Sequence, residues 1–187
     1  MNPQTSRKIR NRTNPNDVFI TPKLLAKRQI DMVMSSLQND KHDNAIWYDP
    51  FRNSGNYFYQ FPEGNHHWSE ILDGDDFFAF PAGKHVDVVY SNPPYSCINQ
   101  ILAKTVEIKP KYISYLVGVG NLTPKRLEFL NIHGYFMENI HMCNVTHFYG
   151  SSFIIQFKLG LGNNVMSYDR GYWKNEARDI LPRDIID

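Results

Sequence analysis

At 187 residues, with 42% hydrophobic and 14% aromatic side chains, the chain is long enough to bury one core and too short for two ordinary domains. A formal net charge of +1 excludes a global electrostatic pull on nucleic acid or on an acidic partner, so any such attraction must be local. Two cysteines make no disulfide framework, and no apolar run approaches the roughly 18 residues of a membrane span, so a reduced, soluble, cytoplasmic protein without a targeting segment is expected.

Residues 1–16 carry Arg7, Lys8, Arg10 and Arg12, no acidic residue and no apolar periodicity, which marks a flexible arm. Two readings of the arm stand: a solvated terminus, or a phosphate-contacting segment adding sequence-blind affinity. A single domain is expected over 17–160, with residues 161–187 as a polar tail. Thr21-Pro22 before an apolar pattern reads as a helix start, with Thr21 as N-cap and Pro22 at the first helical position. Ala26, Ile30, Val33, Met34 and Leu37 then form one stripe, and Lys27, Arg28 and Gln29 are expected to point outward.

A short strand over 45–48 runs into the turn-rich loop Asp49-Pro50-Phe51-Arg52-Asn53-Ser54-Gly55-Asn56. Such a strand end offers backbone N–H groups as a cradle for a carboxylate or a ribose. After an aromatic helix or loop at 57–62, a second strand is expected over 66–71 with Glu70 near its end. In nucleotide-binding α/β folds an acidic residue there accepts hydrogen bonds from ribose hydroxyls, which marks Glu70, with Asp73 as the fallback. His66 and His67, adjacent in a strand, face opposite sides and have no partners at ligand spacing, so no metal site is expected.

The strongest signal is the apolar run 86–90 that ends in Ser91-Asn92-Pro93-Pro94-Tyr95. The run is β-branched and aromatic, as in a buried strand of a parallel sheet, and the prolines both end it and stiffen the loop that follows. Asn92 supplies a side-chain oxygen, Pro93 a carbonyl and Tyr95 an aromatic face, a set that suits a planar substrate bearing an NH₂ group. Read without its flanks, the same stretch is a turn closing a core strand. Further on come a helix with Ile98, Ile101, Leu102 and Thr105 inward, a strand over 112–117 and a second Thr-Pro helix start at Thr123-Pro124. Strands over 136–145 and 152–159 close the pattern, joined by a loop holding Phe148 and Tyr149, which face either a pocket or the core.

Asn92-Pro93-Pro94-Tyr95 resembles the catalytic motif of the S-adenosylmethionine-dependent amino-methyltransferases, most closely those acting on N6 of adenine. The order of segments is similar too: Phe19-x-Thr21-Pro22, then Asp49-Pro50 with Phe51, Asn53 and Gly55, then Glu70, then Asp76 and Phe77, all ahead of the catalytic quartet. Asn53 stands where the family has its first glycine. Asparagine tolerates left-handed backbone better than other side chains, so the turn is expected to survive.

The resemblance implies a Rossmann-like α/β fold of the class I methyltransferases, mostly parallel with an antiparallel closing pair, and S-adenosylmethionine as cofactor. It implies that Phe19, Thr21, Pro22, Asp49, Pro50, Phe51, Asn53, Gly55, Glu70, Asp76, Phe77 and Asn92 hold the cofactor, and that Asn92 to Tyr95 carry the chemistry. Nucleic acid, DNA first and RNA next, is the expected partner, with Arg7, Lys8, Arg10, Arg12, Tyr95 and Phe148 as contacts. With no stretch long enough for a sequence-reading domain, a specificity-giving protein partner or a homodimer enters as well. Guanine N2, a protein glutamine amide and an inactive scaffold subunit are the alternatives.

Overall fold

The computed structural model describes residues 19–81, 83–144 and 151–167. Helix α1 (Lys23–Asn39) precedes strand β1 (Trp47–Asp49), and β2 (His66–Trp68) and β3 (Val88–Ser91) follow. Helix α2 (Ile98–Ile108), β4 (Tyr112–Gly118), α3 (Pro124–Ile132), β5 (Tyr135–Asn144) and β6 (Ser151–Leu159) complete the chain order, with short 3₁₀ turns between. The strands form one six-stranded sheet in the order β2-β1-β3-β4-β6-β5. The first four are mutually parallel, and β6 lies antiparallel to both β4 and β5.

Alternation along the strands sorts the core into two layers, because successive side chains leave opposite faces. Trp47, Val88, Tyr90 and Tyr112 meet Ala26, Ile30, Val33 and Leu37 of α1. Tyr48, Val89, Ile113 and Tyr115 meet Ile98, Ile101 and Leu102 of α2 and Leu127 and Leu130 of α3 on the other face. With both faces covered, β3 and β4 read as near-continuous apolar runs, as a buried parallel strand must.

The sheet is the expected α/β arrangement with its antiparallel closing pair, and most elements fall within two residues of the positions read from the sequence. The second strand is the exception: it stops at Trp68 because Glu70 leaves the ladder to cap the turn Ile71–Asp73, its Oε1 accepting the Leu72 N–H at 3.2 Å. Two readings are corrected. Thr21 does not cap α1: the helix starts at Lys23, Pro22 occupies the cap position, and no side chain closes that end. Gln29 does not point outward but is fully buried. Its Nε2 donates to the Ser114 carbonyl at 2.9 Å and the Ser91 carbonyl at 3.4 Å, and its Oε1 accepts from Tyr57 Oη at 2.8 Å. A buried amide with partners for both ends is stable in a core, and this one braces β3 against β4 directly below Asn92. The arm 1–16, the loop with Phe148 and Tyr149, and the tail beyond residue 167 lie outside the described residues. No helix among the described residues is long and apolar enough to cross a membrane.

Candidate active site

From β1 the chain reaches β2 on one side of the sheet and later β3 on the other, so the strand order reverses between β1 and β3. Open α/β sheets bind ligands in the crevice outside the strand ends at such a reversal. Asp49 closes β1 there, and Ser91-Asn92 closes β3.

A cavity of about 340 Å³ opens at this point, within the usual size for a small-molecule site. Of the residues marked from the sequence, Phe19, Thr21, Pro50, Phe51, Asn53, Glu70, Asp76, Phe77, Asn92 and Pro94 line it. Ile20, Arg52, Ser54, Asn56, Tyr57, Ile71, Leu72, Phe78 and Cys97 line it as well and were not marked. Three of the apolar ones, Ile71, Leu72 and Phe78, follow a marked acidic residue by one or two positions, a signal that could have found them: a loop that turns out of a sheet carrying large apolar side chains.

Asp49 stands behind the wall and is fully buried. Its Oδ1 accepts the Ser91 hydroxyl at 2.8 Å and the Phe51 N–H at 3.3 Å, while Oδ2 has no partner among the described residues. Burial, helped by the nearby Glu70, raises its pKa to about 7 against the pull of those hydrogen bonds and of Arg52. A buried carboxyl with an orphaned oxygen favours a cationic neighbour.

The loop after Asp49 is folded by left-handed geometry at two positions. Asn53 takes φ +46 and Gly55 φ +78, so Asn53 fills the place of a glycine without breaking the turn. The loop is then tied to the next one. Glu70 Oε2 accepts the Asn53 N–H at 2.7 Å while its Oε1 holds Leu72, so one carboxylate fastens both rims of the cavity and keeps acceptor capacity on each oxygen. Asp76 caps the turn Phe77–Ala79 through its Oδ1, 2.9 Å from the Phe78 N–H. Asp73, the fallback for a ribose contact, is instead ion-paired with Arg52, whose guanidinium also lies 4.0 Å over the Trp68 ring.

On the β3 side, Asn92 Nδ2 donates to the Phe19 carbonyl at 3.1 Å. A carbonyl can only accept, so this contact fixes which end of the amide is nitrogen, and Oδ1 is the end presented. Tyr95 Oη donates to that Oδ1 at 3.3 Å, and the Tyr95 ring stacks on Phe19 with centroids 6.0 Å apart. Tyr95 is therefore a support of Asn92 rather than part of the cavity wall, and Pro93, Pro22 and Gly55 are likewise set back from it. Among the described residues, no group of three or more His, Cys, Asp or Glu side chains gathers to hold a metal.

A scan against protein-family models finds no match, and a search of curated protein sequences finds none either. Solved structures do match. A candidate RNA methyltransferase from Pyrococcus horikoshii superposes with a TM-score of 0.55 at 14% identity, covering 76% of this chain and 88% of that one. Magnesium protoporphyrin IX methyltransferase from Synechocystis, solved with bound S-adenosylmethionine, gives 0.55 at 11% identity over 84% and 96% of the two chains. The E. cuniculi Mtq2–Trm112 complex, responsible for methylation of the eRF1 translation termination factor, gives 0.51 at 16% over 78% and 99%. The chain thus has the Rossmann-like fold of the class I methyltransferases, in agreement with the expectation from its motifs.

Proposed function

We propose that the chain is an S-adenosylmethionine-dependent methyltransferase acting on a planar exocyclic amine, with N6 of adenine in nucleic acid as the substrate. The observation that carries this is the held amide of Asn92, whose oxygen is oriented by the Phe19 carbonyl at the rim of a cavity between β1 and β3. The cavity fits the cofactor on its own features. Its volume suits a nucleoside-sized ligand, its walls pair apolar faces with a few polar groups, and the orphaned Asp49 oxygen behind it favours a cation. Phe19, Thr21, Pro50, Phe51 and Asn53 would hold the methionine end, Glu70 the ribose, and Asp76 with Phe77 the adenine. When bound, S-adenosylmethionine supplies an electrophilic methyl group.

This chain's own part is to activate the acceptor. The lone pair of an aromatic NH₂ is delocalised into its ring, which makes it a poor nucleophile. Asn92 Oδ1 and the Pro93 carbonyl, accepting the two amine hydrogens, draw the nitrogen toward tetrahedral geometry and return the lone pair to it. The loop is rigid before substrate arrives, because two prolines fix its backbone and Gln29, Asp49 and Phe19 hold its base. A base within a duplex must be flipped out to reach this rim, at a cost of a few kcal/mol that a single strand avoids.

The relatives methylate several kinds of molecule, so substrate class is the part to test. Calorimetry with S-adenosylmethionine is expected to show binding, and a chain with no detectable affinity at millimolar donor is a scaffold rather than an enzyme. Labelled donor offered with DNA, RNA and protein in separate reactions is expected to mark nucleic acid. Label confined to protein would move the assignment to an amide such as glutamine.

A further inference from the structure

Arg126, at the edge of the sheet beside the loop of Asn92, has no counter-ion among the described residues. Arg126 stands in the first turn of α3 and reaches toward the loops that follow β3 and β4. Its Nε donates to Asn99 Oδ1 at 2.8 Å, and its Nη1 donates to the Asn121 carbonyl at 2.7 Å and to Asn121 Oδ1 at 3.2 Å. All three acceptors are neutral. No carboxylate of the described residues pairs with it, whereas Arg52, also on this edge, is neutralised by Asp73. The Nη2 donors receive no partner among the described residues.

Such an arrangement is costly unless something completes it. Partial burial disfavours the charged form of the guanidinium, and neutral amides repay less than a carboxylate does. The surroundings add positive potential. Neither α2 nor α3 places an acidic residue in its first turn, and Lys125 is exposed beside Arg126, so the helix ends nearby are left uncompensated. The location is the acceptor side of the site. Asn99 lies in the helix that opens just after Tyr95. A side chain built on Gly118 would meet Tyr95 Cε2 at 3.6 Å and Asn121 Nδ2 at 3.8 Å, so the Asn121 loop and the catalytic loop are neighbours.

We propose that Arg126 binds a backbone phosphate of the nucleic-acid strand whose base enters the cavity at Asn92. The assignment rests on the nucleic-acid reading above and deepens it. With Nε and Nη1 held by Asn99 and Asn121, the guanidinium is fixed in place and its Nη2 hydrogens remain to make a charge-assisted bond to a phosphodiester oxygen. Its contribution is register rather than sequence, since phosphate contacts position a strand and base contacts specify it.

The test uses the full chain and a fluorescent single-stranded DNA oligonucleotide, titrated across about 50 to 200 mM salt. Arg126→Gln is expected to weaken binding roughly tenfold on unrelated sequences alike. It should also make the slope of log affinity against log salt shallower by about 0.7. Arg126→Lys, which keeps the charge and loses the planar hold on Asn99 and Asn121, should recover part of the affinity and most of the slope. Melting temperature and affinity for S-adenosylmethionine are expected to stay at the parent values. Unchanged affinity and slope in Arg126→Gln, with the parent binding the oligonucleotide, would remove this assignment alone. A lowered melting temperature with an unchanged slope would make Arg126 a brace between two loops and also overturn it. A parent chain that binds no oligonucleotide would remove both this assignment and the nucleic-acid reading.

Discussion

Two aspartates at different depths of the same molecule show how the fold treats charge it needs for itself and charge it leaves open. Asp40, at the end of α1, is surrounded by donors: Tyr112 Oη at 2.7 Å, Lys158 Nζ at 2.6 Å and Lys111 Nζ at 2.8 Å. Burial pushes its pKa up, but the hydrogen bonds from Lys111, Lys158 and Tyr112 outweigh burial and hold the carboxyl well below its usual range. Asp49, at the end of β1, is more deeply buried and, among the described residues, receives only Ser91 and the Phe51 N–H, on a single oxygen. Its pKa goes the other way, up to about 7. Asp40 fastens α1 to the strands beneath it, and Asp49 is a charge kept poorly compensated beside a cavity. The difference separates architecture from site without reference to any relative.

The sharpest way to test the division is at Asn92, which belongs wholly to the site. Asn92→Ala removes the oriented oxygen and the bond to Phe19 from a half-buried position. Methyl transfer is expected to fall by about 10²–10³ or more, as when one preorganised polar group is lost from a reaction centre. Donor affinity by calorimetry should stay within a few fold. Retained turnover would take Asn92 out of its role.

Asp49→Asn comes next, and here the two aspartates predict opposite pH behaviour. Asp49 is protonated in the folded chain up to about pH 7 and ionised in the unfolded chain above about pH 4. The native state therefore holds the extra proton between those values, and the group lowers stability progressively as pH rises through that window. The full difference is roughly 4 kcal/mol. Asp49→Asn is expected to flatten this fall and to raise the melting temperature at pH 8, while weakening the donor. Asp40 behaves conversely: its depressed pKa supplies stability that is fully present above about pH 4 and is lost on acidification. Asp40→Asn should cost about 1–3 kcal/mol at neutral pH, since it takes the carboxylate from Lys111 and leaves Lys158 with Glu138 alone, and leave activity of the folded fraction unchanged. A loss of donor binding in Asp40→Asn, or none in Asp49→Asn, would break the division.

How much of this the sequence disclosed follows the same line. The strands and the Asn92–Tyr95 loop were legible because apolar runs and paired prolines act locally, and the left-handed tolerance of Asn53 could be argued from the residue type alone. Gln29 was not, because a polar side chain directly after two charged ones reads as a solvated helix face. Only the arrival of Ser91, Ser114 and Tyr57 from three other segments turns it inward. Thr21 failed as a cap for a similar reason: its segment is drawn against the cavity, where its carbonyl accepts Asn56 Nδ2 at 2.8 Å. Arg126 gave no sign at all, since its meaning lies in which acceptors surround it and in the carboxylate that does not.

The smallest effect expected is at Gly55, where the loop after β1 turns through left-handed backbone. Its φ of +78 is one that a side chain rarely adopts, and an added Cβ would run into the Tyr59 ring. Tyr59 is largely exposed, so its ring can swing aside, and the lasting cost is the backbone term of about 1–2 kcal/mol. Gly55→Ala should therefore lower the midpoint of urea unfolding by that amount and weaken S-adenosylmethionine several-fold through the displaced rim. The Arg126-dependent affinity for oligonucleotide should stay intact, because that contact is built on the start of α2 and the turn after β4. Gly55→Ala that loosened oligonucleotide as much as donor would mean the two sides of the site move together, and the separation of a donor rim from an acceptor edge would not hold.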